Sequence, residues 1–85
     1  MELKDTIDMM NSLDYKERFK AEYYQLKIRY NKLKQMCEKW DNGTLNFKPT
    51  CDRDLYNLQL DGMYLYLKVL KERAKIEGVE LDEIS

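Results

Sequence analysis

The chain has no histidine, one proline, three glycines and two cysteines among its 85 residues. Without histidine it lacks the usual acid–base group of neutral pH and the commonest metal ligand. Two cysteines alone do not make a structural zinc site, and in a reducing compartment Cys37 and Cys51 are expected as free thiols, although a bridge across the short connection between them stays open. Scarce glycine and proline together with 36% charged residues favour helix over sheet. No apolar run approaches the ~20 residues that cross a bilayer. The start, MELKDTIDMM, lacks the basic beginning and apolar centre of a signal peptide, so a cytoplasm is the expected compartment. There is no phosphate-binding glycine loop, no Ser–His or Cys–His pair and no metal-ligand motif, so no enzyme activity, cofactor or metal is expected.

What is present is helical periodicity. Leu3, Ile7 and Met10 read as a short amphipathic helix over 3–10, too short to stand alone. Asn11 to Asp14 form a break, and Asp14 or Ser12 is placed to cap a second helix over 14–40, with Glu17 at capping-box spacing from Asp14. Phe19, Tyr23, Leu26, Tyr30, Leu33, Cys37 and Trp40 alternate spacings of four and three, which predicts one continuous buried seam. Asp41-Asn42-Gly43 ends this helix. Leu45 and Phe47 predict a short extended piece in the connection, where Pro49 keeps Lys48 out of helical geometry.

A third helix is expected over 52–76, capped by Thr50 or Asp52, with Tyr56, Leu60, Met63, Leu67, Leu70 and Ala74 as its seam. A second row, Leu58, Leu65, Val69 and Ile76, predicts a second partner, either the short first helix or a neighbouring subunit. Gly62 lies between those residues and costs about 1 kcal/mol in a helix interior, which either a tolerated surface position or close approach of another backbone explains. Gly78 ends the helix. The tail VELDEIS reads as acidic and frayed, with Val79, Leu81 and Ile84 available to dock on a neighbour. The expected architecture is all-α: one domain over 1–85, a short helix followed by a long antiparallel helical hairpin, small enough that assembly into a symmetric oligomer is a common remedy for its modest core.

Charge is unevenly spread. The segment from Tyr15 to Trp40 holds four of the seven tyrosines and eight of the fifteen Lys and Arg residues against three acids, in a chain of net charge −1. Tyr15 and Arg18 share a face, Arg18, Glu22 and Arg29 lie on nearby azimuths, and so do Lys16, Lys20 and Lys27. Arginine forks suit phosphate and tyrosine rings suit bases, so the set fits a small phosphorylated nucleotide or a single strand. Ordinary solvated helix faces carry the same residues. Confined basic charge in an otherwise acidic chain offers no long phosphate track, so duplex DNA is not an expected partner.

Two runs carry a family resemblance. Tyr15, Arg18, Phe19, Glu22, Leu26, Arg29 and Lys32-Leu33 resemble the first long helix of a family of small phage helical proteins, and Gln59-Leu60, Met63, Tyr66, Val69-Leu70 and Arg73 resemble its later helix. The family includes the anti-CBASS sponges, which capture cyclic di- and trinucleotide second messengers without degrading them. The resemblance implies a homohexamer of helical hairpins, no metal and no reaction, acting in the cytoplasm of a bacterial host. It places ligand contacts at Tyr15, Arg18, Arg29 and Lys32, with Tyr15 stacking on a base and Arg29 and Lys32 pairing with phosphate. Arg73 is implied at a second site near a symmetry axis. Arg29 stands where the family usually has lysine, and the connection DNGTLNFKPTCDRD is longer than in the sponge-like members. Against this reading stand a helical protein-interaction module with no nucleotide ligand and a nucleic-acid accessory protein.

Overall fold

The computed structural model describes residues 1–82. A 3₁₀ turn, Leu3–Thr6, runs into an α-helical turn, Ile7–Met10, and together they form α1. Two long helices follow, α2 over Tyr15–Asp41 and α3 over Arg53–Glu77. The hairpin of α2 and α3 gives the molecule its 43 Å long axis.

The helix ends fall where local chemistry puts them. Asp14 caps α2, its carboxylate accepting the Lys16 N–H at 3.0 Å, while its own N–H donates to Ser12 Oγ at 3.0 Å. Glu17 turns to Lys20 at 3.5 Å. At the far end Gly43, at φ +74°, takes the left-handed conformation, and the N–H groups of Gly43 and Thr44 donate to the carbonyls of Trp40 and Lys39, a Schellman closure. Gly78, at φ +73°, closes α3 in the same region of backbone space. Asp52 occupies the N-cap position of α3 without a side-chain capping bond. The connection between the hairpin helices holds bends and no strand, so the extended piece expected at Leu45 and Phe47 does not form; no neighbouring strand is there to pair with it. Arg53, the first residue of α3, is tied to Asp41, the last of α2, by a two-pronged bond at 3.0 and 3.1 Å. Cys37 is buried, Cys51 is exposed, and both are free thiols.

Both predicted seams meet. Phe19, Tyr23, Leu67, Leu70 and Ala74 are buried against one another, and Leu26 and Tyr30 extend the contact, while Trp40 stacks edge-on against Tyr56 toward the connection. A second face of α2 is buried as well, through Ala21, Tyr24 and Ile28. α1 packs on α2 alone: Thr6 is buried, donating to the Leu3 carbonyl at 2.7 Å and accepting from Gln25 at 2.9 Å. Over its described residues, 79–82, the tail is packed and not frayed. Val79 is only 6% exposed within the core and Leu81 packs beside it, and the Tyr24 hydroxyl accepts the Asp82 N–H at 3.0 Å. Val79 and Leu81 therefore dock on their own hairpin, because Gly78 turns the chain back over α2. Ile84 lies outside the described residues.

The second row on α3 finds no partner among the described residues. Leu58, Leu65, Val69 and Ile76 are 68%, 63%, 53% and 85% exposed, and α1, one of the two expected partners, makes no contact with α3. A side chain built at Gly62 would meet open space, so no backbone of the same chain explains that glycine.

Candidate functional site

The antiparallel hairpin brings the start of α2 against the end of α3. This places Tyr15, Arg18 and Phe19 beside Arg73 and Glu77. The Tyr15 hydroxyl donates to Glu77 Oε1 at 2.6 Å and accepts from Arg73 Nη2 at 2.9 Å. Arg73 Nε donates to Glu77 Oε2 at 3.0 Å, closing a three-membered ring of side chains. The guanidinium of Arg73 also lies 5.0 Å from the centroid of the Phe19 ring, which forms the floor of the cluster. Arg18 donates to the Ser12 carbonyl at 2.9 Å, its guanidinium 6.0 Å from the Tyr15 ring centroid. A cavity of about 230 Å³ opens beside it, lined by Met10, Arg18, Glu22 and Gln25.

The electrostatics follow from those bonds. Donation to Glu77 holds the Tyr15 hydroxyl protonated above its ordinary pKa, with desolvation adding to the effect. The same bond, aided by Arg73, holds the Glu77 carboxyl below its ordinary value. Arg73 is raised by its bond to Glu77. Two turns further along, the Tyr66 hydroxyl donates to Glu22, and this bond raises the Tyr66 pKa. Glu22 is thus engaged by α3 and not by Arg18.

Of the five residues implied as ligand contacts, the hairpin brings together Tyr15, Arg18 and Arg73. It does not bring Arg29 and Lys32 to them. Both are exposed on α2, and Arg29 lies fourteen residues beyond Tyr15, about 21 Å along the helix axis. A ligand held by both Tyr15 and Arg29 of one chain would have to span that distance. Nothing in the sequence alone marks Glu77 as part of the site. Its spacing of four from Arg73 signals a pair on one helix face, but its bond to Tyr15 depends on the register of the whole hairpin.

A family model described as Sequestin matches residues 13–76. The chain belongs to the Sequestin family. The matched stretch spans α2, the connection and nearly all of α3, and it contains every one of the five implied contacts. α1 and the docked tail lie outside it. No curated protein and no solved structure matches the chain. Among the described residues no group of three or more His, Cys, Asp or Glu side chains is arranged to hold a metal ion, and no helix is long and apolar enough to cross a membrane.

Proposed function

We propose that this Sequestin-family protein is a phage or prophage anti-defence protein that binds and holds cyclic di- or trinucleotide second messengers without cleaving them. The observation that carries the reading is the family match over residues 13–76, which takes in both runs bearing Tyr15, Arg18, Arg29, Lys32 and Arg73. Tyr15, 47% exposed, presents a ring on which a base stacks, and Arg18 beside it adds positive charge. Arg29 and Lys32 meet phosphate, and the ~21 Å along the helix between Tyr15 and Arg29 supports a pocket in which another copy of the chain contributes them. Arg73 serves a second anion position near a symmetry axis.

Self-association supplies the missing half. The exposed row of Leu58, Leu65, Val69 and Ile76 gives each copy an apolar surface, and open space at Gly62 lets a neighbouring backbone approach. A homohexamer in the host cytoplasm, with no membrane and no duplex DNA as partner, is the form proposed. Calorimetric titration against a panel of cyclic di- and trinucleotides, with light scattering on the same sample, tests it. Uptake by an oligomer, and recovery of intact ligand after denaturation, are expected. Absence of heat with every member of the panel ends the proposal, and recovery of linearised ligand replaces sequestration with hydrolysis.

The exposed α3 row equally suits a helical protein-interaction module with no nucleotide ligand. That reading predicts a chain that is monomeric alone, takes up no cyclic nucleotide, and buries the leucine row only against a different protein.

A further inference from the structure

The opposite flank of the hairpin carries a second set of cations that the proposed sequestering site does not use. Arg18 and Lys27 are nine residues apart on α2, half a turn out of phase, so they leave the helix on opposite sides. Lys27 and Lys34, seven residues apart, form one row, and Lys68, Lys71 and Lys75, at spacings of three and four on α3, form the facing row. Two adjoining concavities of about 270 and about 250 Å³ open between the helices here, and Lys68 and Lys71 line both. Joined, they fall within the ~300–1,000 Å³ typical of small-molecule sites.

Three features separate this flank from an ordinary solvated face. The first is uncompensated charge. Lys75 pairs with Glu72 at 3.4 Å, and Glu72 is the one carboxylate lining either concavity. Lys27, Lys34, Lys68 and Lys71 have no ion-pair partner among the described residues. In a chain of net charge −1, four unpaired ammonium groups around one hollow are a local reversal of sign. The second is aromatic surface at the same place: Tyr30, with Lys27 at 6.0 Å from its ring centroid, and Tyr64, which is half exposed and belongs to neither core row. The third is a floor already dry, formed by buried Tyr23, Leu67 and Val79.

We propose that this flank is a second anion-binding cleft, which takes a nucleotide-sized compound bearing an aromatic ring and two or more phosphates. Four ammonium groups exceed what one phosphate neutralises, and lysines bind phosphate as mobile point charges without demanding one geometry. The tyrosines accept the ring by stacking, which tolerates any base. The two joined concavities together have the volume of a small-molecule site and lie on one flank of a single hairpin, which suits a small molecule over a polymer. The cleft is complete within one chain and shares no residue with the sequestering site, so it stands independently of the reading above.

Adenosine triphosphate is the probe, titrated calorimetrically into the full chain, with inorganic triphosphate and adenosine as separate arms. Binding of adenosine triphosphate is expected, weakening as salt rises; inorganic triphosphate should bind several-fold more weakly, and adenosine not measurably. The K68E/K71E pair should lower affinity for adenosine triphosphate by about tenfold or more, and Tyr64→Ser should abolish its advantage over inorganic triphosphate. Cyclic dinucleotide uptake should be unaltered in K68E/K71E. Adenosine triphosphate affinity held within twofold in K68E/K71E, with an unchanged thermal melt, overturns the cleft. So does equal affinity for inorganic triphosphate, which removes the ring from the ligand. Joint loss of both ligands in K68E/K71E makes this flank the sequestering site itself and overturns its independence. Should charge reversal unfold the chain, K68Q/K71Q carries the same comparison, with a smaller expected loss and the same overturning result.

Discussion

The two flanks of one hairpin solve the problem of surface charge in opposite ways. On the flank of Tyr15, Arg73 and Glu77 pair within α3, and tyrosine hydroxyls tie the carboxylates across the helix pair, Tyr15 to Glu77 and Tyr66 to Glu22. On the other flank Lys27, Lys34, Lys68 and Lys71 surround a hollow without an ion-pair partner among the described residues. A matched flank has fixed geometry and must give up an internal bond before it binds an anion. An unmatched flank has no such bond to break, but it also has nothing to hold its lysines in place. The first arrangement favours selectivity and the second favours capacity.

Both flanks rest on the same seam, so the largest effect removes both. Leu70 is fully buried at the centre of that seam. Leu70→Ala should destabilise the chain by about 2–5 kcal/mol, read as a shift in the denaturation midpoint, with binding at either flank lost as the fold is lost. If one flank survived in the unfolded sample, its binding would be mere charge attraction and the comparison would collapse.

Next in size is a change on the outer face of α3, which separates what one chain holds from what an assembly holds. Leu65 is 63% exposed, so Leu65→Glu should leave the stability of the single chain within about 0.5 kcal/mol. It should nevertheless shift the species seen by light scattering to smaller mass. Cyclic nucleotide uptake should fall with the assembly if, as proposed, Arg29 and Tyr15 are brought together between copies, while binding in the lysine cleft should persist. Unchanged mass in L65E would mean that this row is not the contact between copies.

These differences trace to what a sequence can display. The seams from Phe19 to Cys37 and from Tyr56 to Ala74 were legible because a helix repeats its partner-facing side every three or four residues. Ala21, Tyr24 and Ile28 follow the same spacing, but only for two turns, and their cover comes from α1 and the tail; so short a row merges with the polar residues around it. Docking of Val79 needs the left-handed turn at Gly78, which the sequence allowed but did not aim. Tyr15 and Arg73 were singled out separately. Their junction through Glu77 spans residues 62 apart and depends on hairpin register, which no local pattern encodes. The lysine cleft is similar: each row is visible alone, and only the packing shows that the two rows face each other across a hollow.

A smaller effect tests the cost of matching. Glu77 occupies Arg73 and Tyr15 as an internal anion, so a ligand phosphate that reaches Arg73 must displace it. Glu77→Gln keeps the shape and removes the charge. Affinity for cyclic nucleotide should rise several-fold, with binding in the lysine cleft unmoved, as titration of both ligands would show. A fall in cyclic nucleotide affinity would instead make Glu77 a positioning residue, holding Arg73 ready for phosphate.

The smallest effect is the pH dependence that only the matched flank should contribute through its hydrogen-bonded ring. Glu77 is held below its ordinary pKa, chiefly by the Tyr15 hydroxyl. Its contribution to stability is therefore full above the unfolded-state value and is lost as pH falls through the lower folded value. Tyr15 is raised, chiefly by the same bond, so its contribution is full below the unfolded-state value of about 10 and is lost as pH climbs through the higher folded one. The bond thus contributes across the neutral range and weakens at both ends. Screening at this solvent-exposed site keeps the effect small. Tyr15→Phe should shrink both limbs at once in a series of melts against pH, leaving the alkaline share of Tyr66 and the acid share of Asp41, and Glu77→Gln should do the same. If Tyr15→Phe removed the alkaline limb alone, the hold on Glu77 would belong to Arg73, and the ring would reduce to a salt bridge with a tyrosine beside it.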